Sequence, residues 1–305
     1  MFTLDQIRCF VAVAEELHFG RAAELLSMTQ PPLSRQIQKL ERSLGVTLLE
    51  RDHRTVSLTE AGRAFLVECH ELLATAERAP ATARKVAAGH EGVLRIGFTA
   101  AAGYAVLGPL LASFAEALPH VHLELAEMVS HEQTEALAAG SADLGLARPS
   151  FDAEVFDSHL LLAEDLMLAV PQDHPLALRG TAVSEDEVAA LPLIMHSPLS
   201  ARYFYDLAVR LFPIDHHKVV HTVGQITTMI ALARAGHGAA LVPRSAHELG
   251  THGVSLLPLG ERGRGAVELH AIWSRRNTNP ALHRAVEHIV SASPAFPAAA
   301  AHSSH

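Results

Sequence analysis

Apolar residues recur with helical spacing in two stretches near the start of the chain. They occupy every third or fourth position over 4–14 and again over 33–44, as along one buried face of a helix. Thr3 and Gln6 form a capping-box pattern before the first stretch. Thr29 is placed to cap the second. These patterns predict two amphipathic helices.

The residues around these helices predict a further short helix and a hairpin. Phe19 and Gly20 interrupt the first pattern, and a short helix is predicted over Arg21–Leu26. Leu48–Arg51 and Thr55–Leu58 are short stretches of extended character on either side of a polar turn. Such a pair of stretches is typical of a β-hairpin.

A long helix is predicted from Thr59 to about Gly89, followed by a hinge at 89–92. Pro80 is expected to kink or end it locally, because proline cannot donate the helical hydrogen bond. Two interpretations fit its apolar positions: pairing with a second helix, or one amphipathic helix lying on its own domain. The positions concerned alternate by four and three residues and are Phe65, Cys69, Leu72, Ala76, Ala79, Ala83 and Val86.

Beyond residue 93 the pattern alternates between strand and helix, which favours an α/β architecture with largely parallel sheets. Strands are predicted over 93–99, 121–128, 143–148, 160–170, 219–223, 239–242 and 266–273. Helices are predicted up to about 118 and over 131–139, 201–212, 225–235 and 282–292. The last residues, rich in Ala, Pro, Ser and His, are typical of a loose tail.

Composition narrows the class of protein. The chain has 305 residues, 49% of them hydrophobic, which suggests about two folded domains. No apolar run approaches the roughly 18 residues of a bilayer span, and two cysteines cannot form a disulfide framework, so we expect a cytoplasmic protein without membrane contact. The formal charge is −9, which by itself argues against nucleic acid.

Charge is unevenly distributed, however. Residues 1–60 carry seven basic and eight acidic side chains, so most of the excess acidity belongs to the rest of the chain. Between residues 30 and 54 the basic residues outnumber the acidic ones by five to three. Net charge therefore does not exclude DNA, although one weakly charged domain would hold it poorly without a second copy.

The segment 21–45 has the pattern of a helix-turn-helix. If Leu33, Ile37 and Leu40 face inward, the intervening residues face outward, with Arg and Gln suited to base edges and Ser and Lys to phosphates. A helical hairpin in an enzyme could show the same spacing. The residues predicted to contact DNA are Gln30, Pro31, Pro32, Ser34, Arg35, Gln38 and Lys39, together with Arg51, His53 and Arg54 of the hairpin.

These residues carry a family resemblance. Residues 10–62, FVAVAEELHFGRAAELLSMTQPPLSRQIQKLERSLGVTLLERDHRTVSLTEAG, resemble the winged helix-turn-helix of LysR-type transcriptional regulators. The similarity continues through LRIGF, GLARP, AGHGAALVP and AIWS to about residue 290. Within the family, QPPLSRQIQ, LELAEM and QTEAL most resemble the benzoate- and muconate-responsive activators of aromatic catabolism.

The resemblance implies an α+β protein with an N-terminal winged helix-turn-helix, a long linker helix and a two-lobed α/β effector domain like the periplasmic binding proteins. The implied boundaries are 1–60 for the DNA-binding domain, 59–89 for the linker and dimerisation helix, 93–291 for the effector domain and 292–305 for a flexible tail. Lobe I would comprise 93–163 and 268–291, and lobe II 164–267.

The resemblance also implies the partners. They are double-stranded promoter DNA, a small-molecule acid, further copies of the same chain in a homotetramer built as a dimer of dimers, and RNA polymerase. No cofactor and no enzymatic activity are expected. Two rival interpretations stay open: a solute-binding or enzymatic α/β protein with an incidental helical N-terminus, and a DNA-binding protein that needs no effector.

Carried over by position, the effector contacts fall between the two lobes. Helices that follow strands there would offer free N–H groups to an anion, and Arg148 would supply a fixed positive charge unless it forms a structural ion pair. His196 is a further contact beside the cleft, a ligand contact or pH sensor. The residues are Thr99, Ala100, Ala101, Ser130, Arg148, His196, Ser197, Ser200, Arg202, Tyr203, Gln225, Ile226 and Thr227. Ala101 stands where the benzoate and muconate activators have a Ser, which removes one hydrogen bond to a carboxylate.

Other chemical motifs are weak. The chain has 21 histidines, but His247 and His252 are five residues apart, one more than the zinc-protease motif requires. We expect no metal site and no catalytic residues. Cys9 and Cys69 are expected to pack in cores and not to form a redox pair.

Overall fold

The computed structural model describes residues 1–51 and 55–292. The chain divides into two compact units, Met1–Lys85 and Val86–His305, and each is described by itself.

The N-terminal unit contains three short helices, a hairpin and the greater part of a long helix. The helices are α1 (Leu4–Glu16), α2 (Phe19–Leu25), α3 (Gln30–Leu44) and α4 (Glu60–Ala87), and the hairpin strands are β1 (Leu49–Arg51) and β2 (Val56–Leu58). The strands pair antiparallel, with Leu49 opposite Leu58. The buried faces of α1, α2 and α3 meet β1 and the first turns of α4 in one apolar core. The predicted helix-turn-helix and hairpin are therefore present.

Two helix starts differ from prediction in their local chemistry. Helix α2 begins at Phe19, two residues early, because the His18 Nδ1 atom caps it by accepting hydrogen bonds from the N–H groups of Gly20 and Arg21. Thr29 is at the N-cap position of α3, but its side chain caps nothing. An N-cap oxygen normally accepts from the second or third helical N–H, and both positions are prolines here.

Helix α4 does not end at Pro80, one of the two predicted effects of this proline, but continues for seven residues beyond it. Its apolar seam has two parts. Phe65 and Cys69 pack into the core of the N-terminal unit, whereas Leu72 and Val86 are 42% and 43% exposed. The proximal part of the seam thus lies on its own domain, and the distal part leaves apolar side chains in solvent.

The C-terminal unit contains two five-stranded mixed sheets. The first has the order β4-β3-β5-β12-β6 and the second β11-β7-β10-β8-β9. The strands are β3 (Gly92–Phe98), β4 (Val121–Glu127), β5 (Leu144–Ala147), β6 (Phe156–Glu164), β7 (Leu166–Pro171), β8 (Leu193–His196), β9 (Val219–Val223), β10 (Ala239–Pro243), β11 (Val254–Pro258) and β12 (Val267–Ser274). The two sheets define lobe I and lobe II respectively.

Helices cover both sheets. They are α5 (Ala100–Ala102), α6 (Gly108–Ala117), α7 (Ser130–Ala139), α8 (Pro175–Arg179), α9 (Glu185–Ala190), α10 (Arg202–Leu211), α11 (Ile226–Arg234), α12 (Gly260–Gly263) and α13 (Pro280–Ala292). A π-helical turn, Gly103–Leu107, joins α5 to α6. The α/β architecture is confirmed, and the main apolar clusters lie on the faces of the two sheets.

The prediction of largely parallel sheets is wrong. Among the described residues, half of the eight strand pairings in this unit are antiparallel, because β12 runs against β5 and β6, and β7 runs against β10 and β11. The strands β8 and β11 were not predicted, since each is short and lacks a clear alternation.

The strand predicted over 160–170 is two strands in different sheets. Strand β6 ends at Glu164 in the first sheet, and β7 starts at Leu166 in the second. The crossing residues are polar and bound: the Asp165 carbonyl accepts from Arg244 N–H at 2.8 Å, and its carboxylate accepts from Gly265 N–H at 2.9 Å. A second crossing, from β11 to β12, returns the chain to lobe I. These crossings place a cleft between the lobes.

Gly89, predicted to be part of a hinge, is closely packed. Its φ is +70°, and a Cβ atom there would come 2.3 Å from the carbonyl oxygen of Pro280. Only glycine fits both this backbone conformation and this approach.

Candidate functional site

Helix α3 exposes the face that was predicted to read DNA. Leu33, Ile37 and Leu40 are completely buried, so the residues between them face outward. Gln30, Pro31, Arg35, Gln38 and Lys39 are exposed, while Pro32 and Ser34 are half-buried. In the described part of the chain, Arg35 and Lys39 have no ion-pair partner. This face offers two cations and an amide, which are side-chain types that pair with base edges in the major groove.

Arg51, predicted to contact DNA, is bound within the N-terminal unit. Its guanidinium donates to Ser34 Oγ at 3.2 Å, pairs with Glu41 Oε2 at 3.5 Å and lies 4.9 Å from the centre of the Phe19 ring. Glu41 also accepts hydrogen bonds from the N–H groups of Leu48 and Leu49. Arg51 and Glu41 therefore hold β1 against α3. His53 and Arg54 lie outside the described residues.

The second site is a cavity of about 690 Å³ between the lobes of the C-terminal unit. Twelve of the thirteen residues predicted for the effector site line it. The exception is Ser197, whose hydroxyl instead accepts hydrogen bonds from the N–H groups of Leu199 and Ser200 and so shapes the loop before α10. The cavity is also lined by Leu199, within the loop predicted to contact the effector, and by Phe151 and Phe204, which sequence reasoning missed.

Helix N-termini converge on this cavity. Helices α7, α10 and α11 begin there, and the side chains of their N-cap residues Val129, Ala201 and Gln225 make no capping bond. At α7 the Glu132 carboxylate accepts a hydrogen bond from Val129 N–H at 3.0 Å. Unpaired N–H groups and the helix dipole favour an anion at such ends. Helix α5 differs, because the Thr99 hydroxyl accepts from Ala102 N–H and caps it. The Ser130 hydroxyl accepts from Arg148 N–H at 3.4 Å.

Arg148 lies at the floor of the cavity in a structural ion pair, the second of its two sequence interpretations. It is 3% exposed; its Nη2 donates to Glu164 Oε1 at 3.4 Å and its Nη1 to the Glu268 carbonyl at 2.9 Å. Burial lowers the pKa of Arg148, while the charge of Glu164 raises it. The Nε atom has no hydrogen-bond partner. The Nε–H group of Arg148 is thus a buried donor without an acceptor in the described residues.

Arg202 and Tyr203 also have partners of their own. Arg202 is exposed and pairs with Asp206 at 3.3 Å. The Tyr203 hydroxyl accepts from Glu268 N–H at 2.8 Å, and burial raises the pKa of this phenol. The Tyr203 hydroxyl also donates to the Ala266 carbonyl at 3.5 Å, so its polar group is occupied, whereas Arg202 uses only its Nε atom in the contact to Asp206.

His196 ends β8 at the cavity and is 2% exposed. Its Nε2 lies 2.9 Å from the carbonyl oxygen of Leu241, and its ring stacks on Phe204 with centroids 4.6 Å apart. Burial lowers the pKa of His196 to about 4, so the imidazole is neutral near pH 7. Its Nδ1 is buried and unpartnered.

The described residues form no cluster suited to metal binding, and their two cysteines are buried. No group of three or more His, Cys, Asp and Glu side chains there could hold a metal ion. Cys9 and Cys69 are both buried in the N-terminal core. Burial raises the pKa of both thiols, that of Cys69 to about 11, so both stay protonated near neutral pH. In the part of the chain described, no helix has the length and apolar character to cross a bilayer.

Comparison with known proteins assigns both units. Residues 4–63 match the bacterial regulatory helix-turn-helix protein of the lysR family, and residues 87–294 match the LysR substrate binding domain. The chain belongs to the LysR family. It is therefore a DNA-binding transcriptional regulator with a domain for a small-molecule effector.

Relatives of this LysR-family protein match it over nearly the whole length. The uncharacterized HTH-type transcriptional regulator YnfL of Escherichia coli is 36% identical, covering 95% of this chain and 98% of its own. The HTH-type transcriptional regulator BenM of Acinetobacter baylyi is 33% identical over 84% and 85% of the two chains. The match to BenM, together with a solved structure of the regulator CbnR described below, supports the resemblance to the benzoate- and muconate-responsive activators.

Solved structures also match this chain over nearly its whole length. Full-length CbnR complexed with its target DNA superposes with a TM-score of 0.79 at 29% identity, covering 95% of this chain and 99% of that one. Full-length BenM superposes with a TM-score of 0.58 at 29% identity, over 95% and 96%. The first of these neighbours is a member of the LysR family bound to DNA.

Proposed function

We propose that this LysR-family regulator is controlled by an organic acid, aromatic or dicarboxylic, bound in the cleft between lobe I and lobe II. The observation that carries the proposal is the convergence of three helix N-termini, those of α7, α10 and α11, on one cavity, those of α10 and α11 without any side-chain cap. A carboxylate there would accept backbone hydrogen bonds and interact favourably with three helix dipoles. The cavity volume suits a small organic acid.

Signal transmission would work through the lobes. An acid that binds two lobe orientations with different affinity shifts their populations. In an oligomer this would alter the spacing of the DNA-binding units and the bending of promoter DNA, and with it the contact to RNA polymerase. We place lobe I at 93–163 and 268–291 and lobe II at 164–267, with 1–60 as the DNA-binding domain and 59–89 as the linker helix.

The oligomer proposed is a homotetramer, a dimer of dimers, in which α4 pairs with a second copy. The exposed distal part of its seam supports this pairing, because Leu72 and Val86 otherwise remain in water. Pairing would also supply a second DNA-binding unit, so that two half-sites are bound together and the weak charge of each unit is compensated.

For DNA we propose that Gln30, Pro31, Pro32, Ser34, Arg35, Gln38 and Lys39 enter the major groove, with Arg51 holding the hairpin that carries His53 and Arg54. Arg35→Ala should weaken binding to a footprinted promoter by about 1–3 kcal/mol if it contacts a base bidentately. Arg8→Ala is the matched control, since Arg8 is an exposed cation of the same unit paired with Asp5. Equal affinity for the two variants would remove Arg35 from the recognition role.

The effector is tested by titrating the full-length protein with aromatic and dicarboxylic acids while following thermal unfolding. An acid that binds the folded state raises the melting temperature. The double variant Arg148→Met/Glu164→Gln removes the buried ion pair of the cavity floor, and Arg179→Met/Glu187→Gln removes an exposed pair of lobe II as the control. Stabilisation lost only in the first variant supports the cleft site. No stabilisation by any acid would favour an effector-independent regulator.

A further inference from the structure

His196 lines the cleft and has a buried ring nitrogen without a hydrogen-bond partner among the described residues. The Leu241 carbonyl can only accept a hydrogen bond, so the His196 Nε2 atom 2.9 Å away must carry the proton. The other ring nitrogen, Nδ1, then has a lone pair because the buried imidazole is neutral near pH 7. No group among the described residues donates to this lone pair.

An unpartnered acceptor of this kind is uncommon. Buried polar side-chain atoms nearly always have a partner in the protein or in ordered water, and His196 Nδ1 is one of six such atoms in the described residues that have none. His196 is 2% exposed and lines the cavity. A carboxylate oxygen cannot serve as its partner, because an acceptor facing a lone pair is repelled. The partner must be a hydrogen-bond donor.

The charges around the cavity favour a ligand with a single ionised carboxylate. Its two arginines already face carboxylates, Arg148 that of Glu164 and Arg202 that of Asp206. Glu127 and Glu132 also line the cavity and are exposed. The helix N-termini can therefore accept one carboxylate, whereas a second ionised carboxylate would find no unpaired arginine among the described lining residues.

The walls around His196 are aromatic and apolar. Its ring stacks on Phe204, whose ring also lies 5.3 Å from the Arg148 guanidinium carbon. Phe151 and Leu199 are further apolar residues of the cavity lining. Arg148 Nε is a second unpartnered atom here, and it is a donor. The cavity thus offers one buried acceptor and one buried donor next to apolar surface.

We infer that the effector is an organic acid with one ionised carboxylate and, apart from it, a hydroxyl or amino group that donates a hydrogen bond to His196 Nδ1. This inference rests on the proposed function and specifies the chemistry of its ligand. A donor should strengthen binding about tenfold or more over an isosteric methyl group, since the methyl analogue leaves the buried acceptor unpaired.

The test uses matched acids and isothermal titration calorimetry on the full-length protein. The aromatic series is benzoate with a hydroxyl, amino or methyl group at each ring position. The aliphatic series is propanoate with the same three groups at the second carbon. Two variants separate the roles of the two ring nitrogens. His196→Gln can keep a donor to the Leu241 carbonyl but has no acceptor at the position of Nδ1, whereas His196→Asn can place an acceptor at that position.

Acids that differ only in the group at one position form a set. In at least one set, the acid with a hydroxyl or an amino group should bind the wild-type protein about tenfold more tightly than the acid with a methyl group. The hydroxyl and amino members tell the two donors apart. The preference should persist in His196→Asn and disappear in His196→Gln, and circular dichroism checks that both variants are folded. If neither folds, the sign of the wild-type preference decides.

Three outcomes overturn the inference. One is equal or tighter binding of the methyl acid in every set, which leaves the acid-effector proposal intact. Another is a donor preference that survives in folded His196→Gln, which again leaves that proposal intact. The third is failure of every acid of both series to bind, which overturns the inference; it overturns the proposed function as well only if the dicarboxylic acids of the thermal screen also give no stabilisation.

Discussion

Glu164 joins the two sheets of the C-terminal unit through Ser245. The carboxylate at the end of β6 accepts hydrogen bonds from the Ser245 N–H at 2.7 Å and hydroxyl at 3.1 Å, just after β10 of the other sheet. The same carboxylate pairs with Arg148 behind the cavity. One buried anion therefore connects a crossing of the chain, the second lobe and the cavity floor.

Neutralising this anion should destabilise the C-terminal unit. Glu164→Gln leaves the Arg148 guanidinium, which is 3% exposed, without a counter-charge, and breaking a buried pair this way costs about 3–5 kcal/mol. Urea unfolding followed by the fluorescence of Trp273, the single tryptophan, measures the loss.

The double variant Arg148→Met/Glu164→Gln is the control, because it removes both charges and should lose less than Glu164→Gln alone. Glu187→Gln, at an exposed pair, should change stability little. A Glu164→Gln protein as stable as wild type would show that the buried pair is energetically unimportant.

His196 should make stability depend on pH. Its pKa falls from 6.5 to about 4 on folding, so below pH 6.5 the unfolded chain binds a proton that the folded one does not. Its contribution is complete above pH 6.5 and decreases towards pH 4. Between pH 7 and pH 5 the free energy of unfolding should fall by roughly 2 kcal/mol from this group.

Other titrating groups contribute to the same pH range, so the comparison is between variants. Wild type and His196→Gln are unfolded with urea at pH 7, 6 and 5, and the difference between their slopes isolates His196. Parallel pH profiles would mean that the imidazole takes up its proton equally well in both states.

Arg51→Met should act on the N-terminal unit by loosening the hairpin. The change removes the contacts to Ser34, Glu41 and Phe19 and should lower the stability of that unit by about 1 kcal/mol. Promoter affinity should fall, but its dependence on salt concentration should keep the same slope, because no phosphate contact is lost. A slope reduced by about one unit would instead identify Arg51 as a phosphate ligand.

Ser150→Gly should stabilise the C-terminal unit. Ser150 has a φ of +147° beside the cavity, a backbone conformation that is essentially restricted to glycine and costs other residues about 1–3 kcal/mol. Its side chain is exposed, so little packing is lost. Thermal unfolding should show a net gain of about 1 kcal/mol.

Ser158→Gly is the matched control, because Ser158 is also exposed but lies in the regular strand β6. Glycine there should destabilise by about 0.5–1 kcal/mol through its greater freedom in the unfolded chain. Loss of stability in both variants would show that Ser150 is not strained.

The elements that could be predicted are those whose signals are local. Helices α1 and α3 follow from apolar spacing and from Thr3 and Gln6, whose reciprocal capping bonds are present. The start of α2 could not be predicted in the same way, because His18 is an uncommon cap. The polar pair Glu164–Asp165 between two apolar runs was a usable signal for a change of sheet, and it was overlooked.

The positions around the cleft came from family resemblance and not from spacing. Their roles depend on partners distant in sequence: Arg148 meets Glu164 sixteen residues later, and His196 meets Leu241 forty-five residues later. No local pattern encodes such pairs, since they form only when strands of two sheets are brought together.

The sequence by itself determined the order of elements, the winged helix-turn-helix and the family, because helical periodicity, capping and recognition residues are properties of short segments. Only the tertiary structure decided that Arg51 braces the hairpin, that Arg148 is already paired and that His196 keeps a free acceptor at the cavity. These properties depend on which polar atoms find partners after burial. Hydrogen bonding and desolvation are settled by the packing of distant segments.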